Sequence, residues 1–142
     1  MTRKTLDTAV NDLISSVGLL VRRVRAAAGS HGLSLTESAV MDRLAREGSA
    51  TAAHLARAEG VKPQSMGATI ATLEEMGMIE RKPHHTDGRQ VMVSLSAKGI
   101  VTRKSVKDAK RTWLAQVILE LDEEDRDTLL RAGEIIKRLV EK

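Results

Sequence analysis

Short polar side chains that can hydrogen-bond to the edges of bases are grouped between residues 62 and 72 of this 142-residue chain. Gln64, Ser65 and Thr69 carry amide and hydroxyl groups that both donate and accept hydrogen bonds. Neutral groups of this kind suit the base edges that a DNA major groove exposes. Lys62 and Thr72 lie at the two ends of the group and are better placed for phosphate oxygens. The segment predicts a DNA-reading face made of Lys62, Pro63, Gln64, Ser65, Ala68, Thr69 and Thr72.

These residues share a predicted helix with a regular apolar stripe. Met66, Ile70 and Leu73 recur at i, i+4 and i+7, which places them on one side of a helix as core residues. Pro63 stands at the first helical position, where its missing N–H costs nothing, and Gly77 suits the helix end. The polar face is therefore predicted to lie on the flanks and opposite side of the stripe.

Two more helices are predicted upstream. The nearer one runs from Thr51 to Glu59, with Thr51 as its N-cap and Gly60 at its left-handed end. The other runs from Glu37 to about Glu47, with Thr36 as its cap. Two helices joined by a tight turn, with a third helix before them, are typical of a helix-turn-helix.

A β-hairpin with a basic tip is predicted after the DNA-reading helix. Its strands are Ile79 to Pro83 and Val91 to Leu95, and Asp87-Gly88 is a strong turn dipeptide because glycine accepts a positive φ. The loop of the hairpin is predicted to carry Arg81, Lys82, His84, His85 and Arg89, so that its tip projects cations. Arg89, beside the tip, is predicted to contact the minor groove. A hairpin at this place makes the predicted fold a winged helix-turn-helix.

His84 and His85 could also be interpreted as a metal pair. Neighbouring residues of an extended wing point to opposite faces, however, so the two imidazoles cannot easily share one ion. Phosphate contact or solvent exposure fits them better, and no other grouping of His, Asp and Glu close in sequence has convincing metal-ligand spacing. The sequence therefore predicts neither a metal nor another cofactor.

Long helices are predicted on both sides of the winged segment. The first, about Lys4 to Ala28, keeps apolar residues at helical spacing along its whole length. The second runs from Ala97 to about Leu119 with Ser96 as its N-cap, and Gly99 within it is expected to cost stability. The third begins after Asp122, a suitable cap, and completes the chain. Apolar faces of this length require cover, which a second copy of the chain would supply.

The predicted fold class is mainly α with a small β-hairpin wing, and one domain accounts for the whole chain. Within it, residues 33–96 form the winged helix-turn-helix DNA-binding lobe, and residues 1–32 and 97–142 form dimerisation helices. A twofold homodimer would place two recognition helices about one DNA turn apart and read a near-palindromic, double-stranded operator.

The chain resembles the MarR family of bacterial transcriptional regulators over essentially its whole length. The residues that carry the resemblance are Leu35-Thr36, Thr51 with His54-Leu55-Ala56, Val61-Lys62-Pro63-Gln64-Ser65-Met66, Leu73-Glu74 and Thr86-Asp87-Gly88-Arg89. The resemblance implies that the terminal helices of two subunits intertwine. It implies that Asp87 holds the wing and Arg89 in place, although plain turn formation explains Asp87 equally well. It also implies a repressor that is released by a small aromatic or phenolic effector, bound between the dimerisation layer and the DNA-binding lobe.

Composition and charge agree with a DNA-binding protein. Residues 62–112 carry ten Lys and Arg against five Asp and Glu, whereas residues 113–142 carry five against eight. The basic block coincides with the predicted DNA reader and the helix after it, although a merely solvated basic face has the same composition. The chain has no Cys, which excludes disulfides, thiolate metal sites and Cys-based redox sensing. No apolar run reaches membrane-spanning length and no signal-peptide core is present, so a soluble cytoplasmic protein is expected.

Three other functions stay open on the sequence. One is a DNA-binding protein without an effector, because a chain with one Trp and no Phe or Tyr offers little aromatic stacking to an effector. Another is a winged helix that binds protein, which salt-sensitive duplex binding would distinguish from a DNA reader. The third is an enzyme, but the sequence shows no Gly-rich phosphate loop, nucleophile elbow or paired-carboxylate constellation.

Overall fold

Six helices and three strands occur in the part of the chain that the computed structural model describes, residues 1–29, 31–83, 86–88 and 90–142. In chain order they are α1 (Arg3–Ala28), α2 (Leu35–Glu47), β1 (Ala50–Thr51), α3 (Ala52–Glu59), α4 (Pro63–Glu75), β2 (Ile79–Pro83), β3 (Val91–Leu95), α5 (Ala97–Leu119) and α6 (Glu123–Val140). The architecture confirms the predicted mainly α fold with a small β-hairpin wing.

Contacts within the chain divide it into two units. The winged-helix unit comprises Gly29–Lys107, and the terminal-helix unit comprises Met1–Ala28 together with Asp108–Lys142. Helix α5 begins in the winged-helix unit and ends in the terminal-helix unit. The functional division at residues 32/33 and 96/97 stays a prediction.

The core of the winged-helix unit lies where α2, α3, α4 and the sheet contact one another. Its largest fully buried side chains are Met41, Leu55, Met66, Ile70, Leu73, Val40 and Val93. Because the chain has no Phe or Tyr, methionine and aliphatic side chains fill this space. The three apolar residues of the predicted stripe on α4 all belong to this set, which confirms the inner face of that helix.

The N-terminal caps are set by short polar side chains. Thr51 accepts a hydrogen bond from the His54 backbone N–H at 3.1 Å, as predicted. The predicted cap of α2 is wrong, because Ser34 and not Thr36 occupies that position. The Ser34 hydroxyl accepts from the Glu37 N–H at 3.1 Å, and the Glu37 carboxylate accepts from the Ser34 N–H at 3.2 Å. This reciprocal capping box satisfies two N–H groups at once, which a cap at Thr36 could not do.

The sheet has the strand order β1-β3-β2 and is antiparallel throughout. The hairpin strands β2 and β3 have the predicted bounds, and Arg81 pairs with Val93 at their centre. The third strand, β1, was not predicted. It places Ala50 opposite Val93 on the other edge of β3 and leads directly into the Thr51 cap. The wing is therefore anchored to the start of α3 as well as to the end of α4.

The terminal-helix unit leaves most of its apolar residues unburied. Helices α1 and α6 contain no buried residue, and Trp113 on α5 is half-buried. The exposed large apolar residues of these two helices include Leu13, Ile14, Leu19, Leu130, Ile135 and Leu139.

Asp122 caps α6, accepting from the Asp125 N–H at 2.8 Å, as predicted. None of the helices in the described ranges combines the length and apolar character that a membrane crossing requires.

Packing requires a glycine at position 99, a role that adds to the predicted cost of a glycine within α5. A Cβ at this position would overlap the carbonyl oxygen of Met78 and press on the Leu95 side chain. Backbone cannot move aside as the end of a flexible side chain can. The glycine thus allows the first turn of α5 to lie against the end of α4.

The substitution Gly99→Ala is expected to lower the free energy of unfolding by about 1–3 kcal/mol, the usual cost of overpacking. Gly67→Ala is the matched control, since a Cβ at Gly67 on α4 meets no atom within 4 Å. That variant should be neutral or stabilised by up to about 1 kcal/mol through helix propensity. Urea unfolding followed by circular dichroism measures both, and equal stability of the two variants would contradict the packing argument.

Candidate nucleic-acid interface

Helix α4 presents a sharply divided surface. Met66, Ile70 and Leu73 are fully buried beneath it. On the outer side, Gln64 and Ser65 are exposed, as are Ala68 and Thr72, and Thr69 is half-buried. Burial of the stripe fixes the rotation of the helix about its axis, so the outer residues have no freedom to turn inward. The structure brings the predicted contact residues of α4 together on one continuous face.

The N-terminus of α4 is open. Lys62 is the N-cap residue, in an extended conformation, but its side chain makes no capping hydrogen bond, and Pro63 follows at the first helical position. Within the described ranges, α2, α3 and α6 are each capped by a side chain at the N-cap position, and Ser96 accepts from the Gly99 N–H at the start of α5. Unsatisfied N–H groups at a helix start, together with the positive end of the dipole, form a ready site for an anion. This end therefore suits a backbone phosphate.

The hydroxyl groups on α4 differ in what they can still offer. Thr69 donates to the Ser65 carbonyl oxygen and Thr72 to that of Ala68, each at 3.1 Å. Their protons are thus used within the helix, and they remain only as acceptors. Gln64 and Ser65 make no side-chain hydrogen bond within the described part of the chain, so both keep donors and acceptors for a partner. Of the three residues predicted to read bases, Gln64 and Ser65 therefore have the wider hydrogen-bonding capacity.

An ion pair links the hairpin to α4. The Arg81 Nε donates to Glu74 at 3.0 Å, and both side chains are less than half exposed. Arg81 thus lies in β2 and holds the wing, whereas the sequence placed it among the cations of the tip. Lys82 is different, since its side chain is 70% exposed and its nearest carboxylate, Glu80, is 4.0 Å away. Lys82 is therefore available to a phosphate.

The tip of the wing is only partly described. Asp87 is half-buried, and its carbonyl oxygen accepts from the Gln90 N–H at 3.0 Å, which closes a turn around Gly88. The predicted roles of His84, His85 and Arg89 lie outside the described residues.

An ion network fixes α3 against α2. Arg43 donates from Nε to Glu59 at 2.7 Å and from Nη1 to Glu47 at 2.9 Å, and its guanidinium also reaches the Ala58 carbonyl oxygen. The hydrogen bond to Glu59 raises the pKa of Arg43. The hydrogen bond with His54, at 3.4 Å, lowers the pKa of Glu47, and Arg43 adds to that effect. The network was not predicted, because its partners lie 4 to 16 residues apart and belong to two helices.

Several cations of the basic block are used inside the protein. Arg103 donates to Asp42 at 2.9 Å, Arg111 to Asp108 at 2.7 Å, and Lys98 to the Met76 carbonyl oxygen at 2.9 Å. Charge counted along the sequence thus overstates the cations available to DNA.

Among the described residues, no cluster of three His, Asp or Glu side chains could hold a metal ion.

Comparison with known proteins gives relatives that are similar over nearly the full chain. A family model described as MarR family matches residues 33–91. A helix-turn-helix-type transcriptional regulator of Mycobacterium bovis is 38% identical over 131 residues, which cover 92% of each chain. A helix-turn-helix-type transcriptional repressor of Mycobacterium tuberculosis is 30% identical over 116 residues, covering 81% of this chain and 84% of the relative.

A solved structure shares the fold. It is a MarR family protein from Bacillus stearothermophilus, with a TM-score of 0.83 and 18% identity, and the match covers 100% of this chain and 99% of the other. At this identity the likeness concerns the fold alone. The family model covers the segment from the start of α2 into β3, where the divided surface of α4 and the hairpin lie.

Proposed function

Since the chain belongs to the MarR family of transcriptional regulators, we propose that it reads a near-palindromic operator as a homodimer and represses transcription until a small molecule releases it. The family and the relatives of this chain are transcriptional regulators. The chain is therefore a regulator of transcription and not an enzyme. The observation that carries the proposal is the open N-terminus of α4 beside the exposed Gln64 and Ser65.

In this proposal the first turns of α4 enter the major groove. The Gln64 amide can donate from Nε2 to adenine N7 and accept at Oε1 from the adenine N6 amino group, the bidentate pairing that recognises adenine, and Ser65 can pair with several base edges. Ala68 and Thr69 follow one turn later, where a methyl group suits thymine and a hydroxyl oxygen accepts from an amino group. Lys62 and the free N–H groups of the helix start bind phosphates and fix the register. Thr72, the other predicted phosphate contact, can donate to a phosphate oxygen only when its hydroxyl turns away from the Ala68 carbonyl oxygen.

The wing binds beside the groove in the same proposal. Lys82 contacts a phosphate, in agreement with its 70% exposed side chain. Arg89 enters the minor groove, Asp87 keeps the tip in shape, and His84 and His85 contact phosphate or solvent. These tip assignments rest on the sequence and its family resemblance.

The terminal helices form the dimer in the proposal. Helices α1 and α6 bury no residue within one chain, and Ile14 and Leu139 are 65% and 61% exposed. Exposed apolar faces of this length are costly in water and mark an interaction surface. A twofold axis through them repeats the winged helix and doubles the DNA contacts.

Repression and release are the finer part of the proposal. A relative at 30% identity bears the name of a transcriptional repressor. An effector releases DNA only if it binds more tightly to a state whose recognition helices do not fit the operator. With one Trp and no Phe or Tyr, the chain would hold a small aromatic or phenolic effector mainly by aliphatic and methionine contacts. The proposed place of action is the cytoplasm, where bacterial DNA lies.

Two substitutions on α4 should separate positioning from base reading. Lys62→Ala is expected to weaken binding to all duplexes. It should also reduce the slope of log Kd plotted against log salt concentration by about one for each phosphate contact that is lost. Gln64→Ala is expected to lower the preference for the operator over random DNA by about 5- to 100-fold, with an unchanged salt dependence. Gel-shift titration at several salt concentrations, with an operator selected from randomised duplexes by the wild type, measures both effects.

Lys104→Ala is the matched control, because it removes an exposed cation on α5 and should bind like the wild type. Salt-independent binding by the wild type, or none, would refute DNA reading and favour the protein-binding winged helix.

The dimer surface can be tested on α1 alone. Ile14→Asp places a charge within the apolar stripe and is expected to shift the protein toward monomer by at least about tenfold in dissociation constant, as burial of an unpaired charge is costly. Ser15→Asp is the control, since helical spacing puts Ser15 on the side opposite the stripe. Analytical ultracentrifugation reads the result. A wild-type monomer at micromolar concentration, or equal effects of both variants, would contradict the proposed interface.

A further inference from the structure

Three consecutive carbonyl groups after α4 are bound by the start of α5. Lys98 Nζ donates to the Met76 oxygen at 2.9 Å, and the Ser96 hydroxyl donates to the Gly77 oxygen at 2.5 Å. The Ser96 backbone N–H donates to the Met78 oxygen at 2.9 Å. The carbonyls at a helix end have no partner within the helix, so donors from elsewhere must satisfy them. Here two residues of one neighbouring turn supply all three donors.

Helix α4 has no cation of its own at this end. Its last turn contains no basic residue and carries Glu74 and Glu75, which the negative end of the dipole disfavours. The backbone turn that ends α4 uses the N–H groups of Gly77 and Met78, which donate to Glu74 and Leu73 at 2.9 Å. The ammonium group of Lys98 supplies the cation that the helix end lacks.

The arrangement is rigid on the α5 side. Ser96 is 8% exposed, and its hydroxyl oxygen accepts from the Gly99 N–H at 2.9 Å while its proton goes to Gly77. Gly99 lacks the Cβ that would overlap the Met78 carbonyl. The two hydrogen bonds of the Ser96 hydroxyl and the close approach at Gly99 thus link the first turn of α5 to the end of α4.

We propose that Ser96 and Lys98 are positioning residues that set the tilt of α4 and thereby its specific affinity for the operator. The inference rests on the proposed DNA-reading function of α4. The helix has 13 residues, and a helix of that length spans about 20 Å, so a tilt of about 5° at the held end displaces the base-reading end by about 1.7 Å. A shift of that size breaks the geometry of a bidentate hydrogen bond.

Lys98→Met is the decisive variant, since it keeps the length of the side chain and removes the donor and the charge. We expect the ratio of operator affinity to random-DNA affinity to fall about tenfold, while random-DNA affinity and salt dependence stay unchanged. Lys98→Arg, which restores a cationic donor, should regain most of the ratio. Lys104→Met removes the same charge one turn and a half further along α5, at an exposed position, and should behave like the wild type.

The experiment uses the full chain, the selected operator and a random duplex, well below the melting temperature measured for each variant. If specific and random-DNA affinity fall together and the salt dependence drops by about one unit, Lys98 is a phosphate contact and the inference is wrong. An unchanged ratio in Lys98→Met makes the contact merely structural and also refutes it. Failure of the wild type itself to prefer the operator would instead refute the proposed function, and the inference with it.

Ser96→Ala provides a second readout. It leaves the backbone donor to Met78 in place and removes the hydroxyl link between Gly77 and Gly99. If it folds, its specificity ratio should also fall, without a change in salt dependence. If it does not fold, the Lys98 variants decide the question alone.

Discussion

The burial of one stripe of α4 determines which side of this helix faces outward. Met66, Ile70 and Leu73 are at most 1% exposed, and burying each contributes about 1.5–3 kcal/mol. Rotating the helix to bring Gln64 or Ser65 inward would lose that contribution and bury unpaired polar groups. The polar face is thus a consequence of core packing, and contacts with the start of α5 hold the C-terminal end of the same helix. Its N-terminal end alone is left without a side-chain partner in the described part of the chain.

Several arginine side chains of the winged-helix unit form ion pairs that join one element of the fold to another. Arg43, Arg81 and Arg103 each hold a carboxylate on another element, and a planar guanidinium fixes geometry better than a lysine ammonium does. The cations that stay exposed are mostly lysines, among them Lys62 and Lys82. Lysine is a flexible point charge that suits phosphate contacts of low geometric precision. Arg43, Arg81 and Arg103 thus belong to the framework of the described part of this unit, whereas Lys62 and Lys82 stay exposed.

Much of the fold follows from local patterns in the sequence. The bounds of β2 and β3, the caps Thr51 and Asp122, and the buried stripe on α4 were predicted because each depends on residues within one or two turns. Ser34 was missed although its Ser-x-x-Glu spacing with Glu37 was visible, because Thr36 offered a competing cap nearer the apolar residues. β1 was missed because two residues carry no periodicity. The need for a glycine at position 99 depends on a carbonyl 21 residues away, which no local pattern reveals.

The site was predicted less completely than the fold. Residue types and helical spacing located the outer face of α4, but not the internal bonds that occupy the hydroxyl protons of Thr69 and Thr72. Net charge along the chain indicated a nucleic-acid partner, but only distances show that Arg81, Lys98 and Arg103 are already engaged. Long-range pairs of this kind join residues up to 61 positions apart, and a single sequence carries no signal for them.

The central claim is that two copies of the open end of α4 enter successive major grooves of one duplex. Hydroxyl-radical footprinting of the selected operator, combined with interference by methylation of guanine N7, tests it most directly. The account predicts two protected half-sites about one helical turn apart, with interference from major-groove methylation inside each of them. A single protected site, or protected half-sites in which methylation of guanine N7 causes no interference, would contradict it.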